Sequence, residues 1–199
     1  MSKAHRMFFN ELAPTWDAKS SSDSIFRMLQ HFGVTPKDHV LDIGAGTGCV
    51  SKSLTRMVRE SGRIVAVDFS ENMLRQARSN LSPYPILYTC SDACQMAFSN
   101  SRFDKIICYS SFPHFKSQEC ALAEFYRILN PGGRILICHN CCSRKLNHFH
   151  ATRTEVVMFD KLPKSEVLET MCRDAGFSNV KRVERPDLYW VEAQKERKD

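Results

Sequence analysis

No stretch of this chain is long and apolar enough to cross a bilayer, and the opening Met1-Ser2-Lys3-Ala4-His5-Arg6 lacks the apolar core and cleavage site of a secretory signal. The expected compartment is therefore the cytoplasm. Internal repeats and low-complexity linkers are also missing, so stacked arrays and tethered modules are set aside. With 199 residues, 43% of them hydrophobic, the chain suffices for one domain with a substantial core. A second CxxC is absent too. Cys138-His139-Asn140-Cys141 has no partner at zinc-ribbon spacing, and no metal is expected there. The nine cysteines are odd in number, and Cys90, Cys108 and Cys138 sit inside apolar runs, as reduced thiols do. Finally, the net charge of +6 comes without a basic stripe interleaved with aromatics; Lys181-Arg182 to Arg185 and Lys195 to Lys198 are only mild concentrations. A nucleic-acid partner is not expected.

What is present begins at Asp42-Ile43-Gly44-Ala45-Gly46-Thr47-Gly48, directly behind the apolar pair Val40-Leu41. Glycines at alternate positions let a chain leave a strand, turn sharply and enter a helix, with no Cβ to hold a flat ligand off the backbone. About twenty residues on, Asp68 ends the next apolar run, Arg63-Ile64-Val65-Ala66-Val67. In a parallel sheet its carboxylate lies beside the glycine turn, where it can accept from ribose hydroxyls. The spacing argues against a dinucleotide. In Gly-x-Gly-x-x-Gly the third glycine comes one residue later, and here Cys49 stands in that place. The leading Asp42 would repel a phosphate and attract a cationic amino group, so the expected ligand is a zwitterionic nucleoside.

These residues resemble motif I of the class I S-adenosylmethionine-dependent methyltransferases, and the resemblance continues in order along the chain. Val65-Ala66-Val67-Asp68-Phe69-Ser70-Glu71-Asn72-Met73-Leu74 is similar to the second motif, Ser91-Asp92-Ala93 to the third, and Phe103 to Tyr109 to the fourth strand. Leu129-Asn130-Pro131-Gly132-Gly133 followed by Arg134 to Ile137 resembles the turn into the fifth strand, and Phe8 to Asp17 the N-terminal segment of small-molecule members such as quinone and sterol methyltransferases. The resemblance implies S-adenosyl-L-methionine as cofactor. It sets Asp42, Gly44, Ala45, Gly46 and Gly48 around the methionine end, Asp68 on the ribose, and Phe69, Met73, Asp92 and Ala93 about the adenine, with Tyr109 lining the pocket. It also implies that residues 1–32 form a helical cover and 36–199 the core.

Alternating short apolar runs and helical patterns indicate βαβ units and an α/β fold. Strands are expected near 39–43, 63–67, 85–90, 104–109 and 134–139, with helices near 47–60, 71–80 and 117–129, the last closed by Pro131-Gly132-Gly133. Lys164 to Ala175 reads as a further helix, and Ser178 to Val183 and Leu188 to Ala193 as strands joined at Arg185-Pro186-Asp187. By resemblance the whole is a Rossmann-like three-layer α/β/α sandwich, with a seven-stranded, mostly parallel sheet and an antiparallel C-terminal hairpin.

Ligands in open α/β sheets sit beyond the carboxyl ends of the strands, so the reacting end falls near Tyr109, Ser110, Phe112 and His114, and near the segment from His139 to His150. His114, in Tyr109-Ser110-Ser111-Phe112-Pro113-His114-Phe115, resembles the loop histidine near the acceptor in small-molecule members. It is the candidate general base or acceptor-orienting group, against a plain reading as a helix cap or a partner for Phe115. His139, Asn140, Cys141, Cys142, Ser143, Arg144, Asn147, His148 and His150 form a polar segment over the pocket, either a metal or metal-containing-acceptor site or a loop contributing shape. Phe8, Phe9 and Trp16 read equally as a lid or as core; Asp17 lies in the same segment, and its spacing assigns it no role. A small-molecule acceptor is expected, with an RNA or DNA methyltransferase and a non-catalytic binder of the same cofactor as alternatives; the acceptor and the oligomeric state stay open.

Overall fold

A computed structural model describes residues 2–16, 22–59 and 61–197; Asp17 lies outside the described residues. Seven strands form one sheet: β1 His39–Ile43, β2 Arg63–Asp68, β3 Ile86–Cys90, β4 Phe103–Tyr109, β5 Leu129–His139, β6 Ser178–Arg185 and β7 Leu188–Gln194. Their order across the sheet is β3-β2-β1-β4-β5-β7-β6. The first five run parallel, and β7 is inserted antiparallel between β5 and β6. The expected sandwich with its C-terminal hairpin is therefore what the chain forms.

Neighbouring residues along each central strand face opposite layers, and both layers are apolar. Leu41, Val65, Ile106, Ile135 and Val191 point toward helices α5 (Gln118–Ile128) and α7 (Ser165–Asp174), which supply Leu122, Phe125, Leu168 and Cys172. Val40, Ile64, Ile107, Leu136 and Trp190 point the other way, onto α2 (Ser22–Phe32) and α3 (Cys49–Leu54), which supply Ile25, Leu29, Phe32, Val50 and Leu54. Strands buried on both faces read as continuous apolar runs, which is why they are so visible in the sequence.

Residues 1–32 divide their work. Helix α2 belongs to a sandwich layer, whereas α1 (Lys3–Leu12) lies apart, in a third small cluster where Phe9 and Ala13 meet Met73 and Val157. Met73 belongs to α4 (Glu71–Asn80), whose N-terminus is capped as its sequence suggests: the Ser70 hydroxyl accepts from the Met73 amide at 3.2 Å.

Three expectations need correction. The helix expected at 47–60 is only Cys49–Leu54. Gly48 at φ +94° is not helical, and beyond Leu54 the Arg59 amide bonds to the Pro36 carbonyl instead of continuing the helix. Pro131-Gly132-Gly133 does not close a helix, because the chain is extended from Leu129 onward, and the Gly132 amide and Gly133 carbonyl both pair with Lys195. The polar segment after β5 is not a loop but helix α6, Ser143–Ala151.

Candidate active site

At the carboxyl ends of β1, β2 and β4, where the sheet order reverses on either side of β1, lies a cavity of about 600 Å³. This is the crevice that the topology makes available to a ligand. The chain leaving β1 turns through Gly44 (φ +69°) and Gly46 (φ +54°). A Cβ on Gly44 would sit 2.3 Å from the Cβ of Ser111, which follows β4 and donates its hydroxyl to the Ile43 carbonyl at 3.0 Å. Glycine is thus required for two strand ends to approach this closely. Gly46 has open space over it, with Trp16 Nε1 the nearest atom at 3.9 Å.

Of the residues singled out from the sequence, Gly44, Ala45, Gly46, Asp68, Phe69, Met73, Ala93, Tyr109 and His114 line this cavity. Asp68 is buried and fixed from both sides: its Oδ2 accepts from the Gly46 amide at 2.9 Å and its Oδ1 from the Ser70 amide at 2.8 Å. Burial raises its carboxyl above the usual range, against the pull of those amides. Three of the expected cofactor residues, Asp42, Gly48 and Asp92, do not line it. Asp42 is buried beneath the glycine turn, where its Oδ2 accepts from the Ser51 hydroxyl at 2.7 Å, and burial pushes its carboxyl up to about 7. Gly48 packs against Leu81 and Ala77 of the α4 end, and Asp92 turns its Oδ1 to the Cys94 amide at 3.0 Å.

Two helices cover the cavity. From α1, Phe9 packs edge-on against Phe69, Trp16 and the His114 ring, with centroids 5.7, 6.1 and 5.1 Å away. Asn10 ties the same helix to α4, its Oδ1 accepting from the Ser70 hydroxyl at 2.7 Å and the Asn72 amide at 3.2 Å. From α6 come Lys145, Leu146, Phe149 and His150.

His114 stands in a short 3₁₀ turn, Phe112–His114, just after β4. Its Nδ1 lies 2.7 Å from Asp160 Oδ2, and its ring is 5.1 Å from that of His150. Nε2 of His5 on α1 lies 3.0 Å from Asp160 Oδ1 and 3.1 Å from the same Oδ2. Burial raises the Asp160 carboxyl, but the hydrogen bonds from His114 and His5 more than reverse this and hold it below the usual carboxylate range. His139 is buried nearby. Burial, and then the proximity of His114 and His150, lower it to about 3, so its ring is neutral. Its Nε2 and the Tyr189 hydroxyl have no hydrogen-bond partner among the described residues. His148 is exposed, and no group of three or more His, Cys, Asp or Glu side chains among the described residues is arranged to hold a metal ion.

Asp160 went unseen in the sequence. It lies in an irregular segment, 46 residues from His114 and 155 from His5, and no local pattern marks it.

The family model described as a methyltransferase domain matches residues 41–137 of this chain. A ubiquinone/menaquinone biosynthesis C-methyltransferase UbiE from Teredinibacter turnerae is 30% identical over 186 residues, covering 87% of this chain and 74% of that protein. The chain belongs to the class I S-adenosylmethionine-dependent methyltransferases. Solved structures agree on the fold of this methyltransferase. A SAM-dependent methyltransferase from Aquifex aeolicus matches with TM-score 0.75 at 20% identity, over 95% of this chain and 97% of its own. Phosphoethanolamine N-methyltransferase 2 of Haemonchus contortus, solved with S-adenosyl-L-methionine, matches with TM-score 0.72 at 19% identity, over 88% of this chain and 53% of its own. The methyltransferase uses S-adenosylmethionine and acts on a small molecule, and the nucleic-acid alternative is not favoured. None of its helices, among the described residues, is long and apolar enough to cross a membrane.

Proposed function

We propose that this methyltransferase alkylates a small, largely apolar acceptor whose attacking atom carries a removable proton, a hydroquinone being the leading class, with His114 as general base. The observation that carries the reading is that His114 and the glycine turn line one cavity, and that the Nδ1 side of the imidazole is already occupied. The name of the Teredinibacter relative, a quinone-biosynthesis enzyme, supports the acceptor class. Apolar Phe9, Phe115, Leu146 and Phe149 in the wall suit a flat, greasy ring.

S-adenosylmethionine supplies a methyl group already activated on a sulfonium, so the protein needs no nucleophile of its own. Its tasks are to align the acceptor, keep water out and take up a proton. The residues fit that cofactor on their own geometry. The cradle at Gly44 and Gly46 lets a flat ligand touch backbone, and each Asp68 oxygen, already taking one amide, keeps lone-pair capacity for a ribose hydroxyl. Phe69, Met73 and Ala93 would flank the base, with Asp92 holding the loop behind it. Asp42 and Gly48 would act from behind the wall, by charge and by packing, and Tyr109 at its face. The chain works as one domain in which the N-terminal segment is divided: α1 contributes the cover, while α2, expected as part of that cover, packs into the core through Ile25, Leu29 and Phe32. All nine cysteines are unpaired, which supports a reducing, cytoplasmic setting.

Incubation with methyl-labelled cofactor and fractionated cell extract tests the reading, with label expected in an apolar small-molecule fraction. His114→Ala should slow transfer about a hundredfold with cofactor affinity intact, whereas Asp68→Ala should weaken the cofactor at least about tenfold. Label confined to nucleic acid, or His114→Ala at full rate, would refute it. Cofactor binding without transfer to any fraction would favour the non-catalytic alternative.

A further inference from the structure

We infer that Asp160 is the positioning residue of this site: its Oδ2 fixes the proton of His114 on Nδ1, leaving the Nε2 lone pair for the cavity, while the same carboxylate, within reach of His5 through both oxygens, ties the covering helix down. The inference rests on His114 being the base, and it explains how that ring is prepared.

The first half follows from hydrogen-bond inventory. A carboxylate only accepts, so the 2.7 Å contact between His114 Nδ1 and Asp160 Oδ2 requires the proton on Nδ1. In the neutral ring Nε2 is then unprotonated, and it makes no hydrogen bond among the described residues. The acceptor's O–H proton would form the new N–H bond at Nε2, and the electron pair left on that oxygen would take the methyl group that bound S-adenosylmethionine supplies, the carbon–sulfur pair staying on sulfur. Asp160 then faces an imidazolium, at bonding distance and without itself taking a proton. The proton leaves to water when the cover opens.

The second half follows from His5. Its Nε2 donates to Asp160 Oδ1 at 3.0 Å, and its Nδ1 can accept from the Ser2 hydroxyl at 2.7 Å, so a neutral ring satisfies both contacts. Closure of α1 and orientation of the base therefore share one carboxylate. The segment bearing Asp160 is itself braced. Asn147 of α6 exchanges two hydrogen bonds with Leu162, His150 donates from Nδ1 to the Asp160 carbonyl at 2.8 Å, and Gln118 donates to the Lys161 carbonyl at 2.9 Å. Such bracing is what a side chain needs if it is to hold another within a fraction of an ångström. The titratable groups facing this pair are His5 from α1, His150 from α6, His139 from β5 and Asp68 from β2.

Nitrogen-15 NMR of the histidine rings, on ligand-free protein above pH 8, reads the tautomer directly and needs no acceptor. His114 should show a protonated Nδ1 and a bare Nε2, and Asp160→Asn should move both signals toward a mixture. Wild-type protein with the His114 proton on Nε2 would overturn the inference without any variant having to fold. So would an Asp160→Asn spectrum unchanged from wild type, in protein that still binds S-adenosylhomocysteine. His5→Ala should leave the His114 signals in place yet speed amide exchange across residues 3–12 at least about tenfold; unchanged exchange would sink the tie to α1. Once an acceptor is known, Asp160→Asn should lower kcat about a hundredfold with KM little changed. His114→Ala at full rate would instead defeat the base reading beneath it.

Discussion

Asp42 shows how a carboxyl buried beneath the glycine turn can still carry a measurable signal. Burial lifts it from 3.8 to about 7, the Ser51 hydrogen bonds recovering only part of the shift. It is thus largely protonated at pH 6 and largely ionised at pH 8. A cationic ligand above the glycine turn meets an anion only in the ionised state, so cofactor affinity should tighten about three- to tenfold between those pH values. In Asp42→Asn the slope should vanish, and calorimetric titrations of both proteins at both pH values check it; equal slopes would remove Asp42 from the site. Folding moves in the opposite sense. The carboxyl pKa is raised in the folded chain, so between about 3.8 and 7 the folded state holds the proton that the unfolded chain has lost, and rising pH erodes stability through that window. At this scale the sequence was informative wherever chemistry sits in a local pattern. The glycine turn, Asp68 and His114 could be read because each lies at a strand end with a recognisable neighbourhood. Asp160 could not, because its contacts are with two histidines far away in the chain.

Strands were legible where burial is two-sided and α7 by its own helical spacing, whereas α6 was hidden and the caps of both helices come from outside. Each central strand announces itself by apolar residues facing both layers. Helix α6 has no such stripe, and its cap residue Cys142 offers no side-chain acceptor; Lys164 of α7 offers none either. Glu184 of β6 supplies both. Its Oε1 accepts from the Ser143 amide and hydroxyl at 2.9 and 2.6 Å, and its Oε2 from the Ser165 amide at 2.8 Å. One carboxylate thereby satisfies the first turns of two helices, at separations of 41 and 19 residues that no local reading of caps can detect. Burial raises the Glu184 carboxyl, yet these bonds outweigh it and hold it below its ordinary value. Its stabilising contribution is therefore present above the unfolded carboxyl range and fades as pH falls through the lowered value. Glu184→Ala should cost about 2 kcal/mol, two capping interactions of about 1 kcal/mol each. Amide exchange should quicken at 143–151 and 165–174 together. Exchange that quickens in neither helix would show that Glu184 is not their shared cap.

For the whole molecule, the sheet order decides where a ligand can act, and the acids at that place decide which one. Strands β2 and β4 flank β1, so the turn after β1, Asp68 after β2 and His114 after β4 come to one crevice, roofed by α1 on one side and α6 on the other. A nucleotide phosphate laid on this turn would meet Asp68 at the cavity wall and the Asp42 charge beneath it, with no side-chain cation on the turn itself to offset them. A nucleoside bearing a sulfonium or thioether and an amino acid meets the same groups as partners. Ligands that bind only the folded state raise its stability by RT ln(1 + [L]/Kd), about 2.7 kcal/mol at a hundredfold excess over Kd. For a chain of this size that corresponds to roughly 5–10 °C in Tm. S-adenosylhomocysteine at such excess should therefore lift the melting temperature by that amount, while NADH and ATP at the same concentration should leave it within about 1 °C. Because Phe9, Asn10 and His5 fasten α1 over the cavity, the rise should be accompanied by slower amide exchange in residues 3–12. A melting temperature raised equally by ATP would mean that the acids do not discriminate against phosphate, and the charge argument for the cofactor would fail with it.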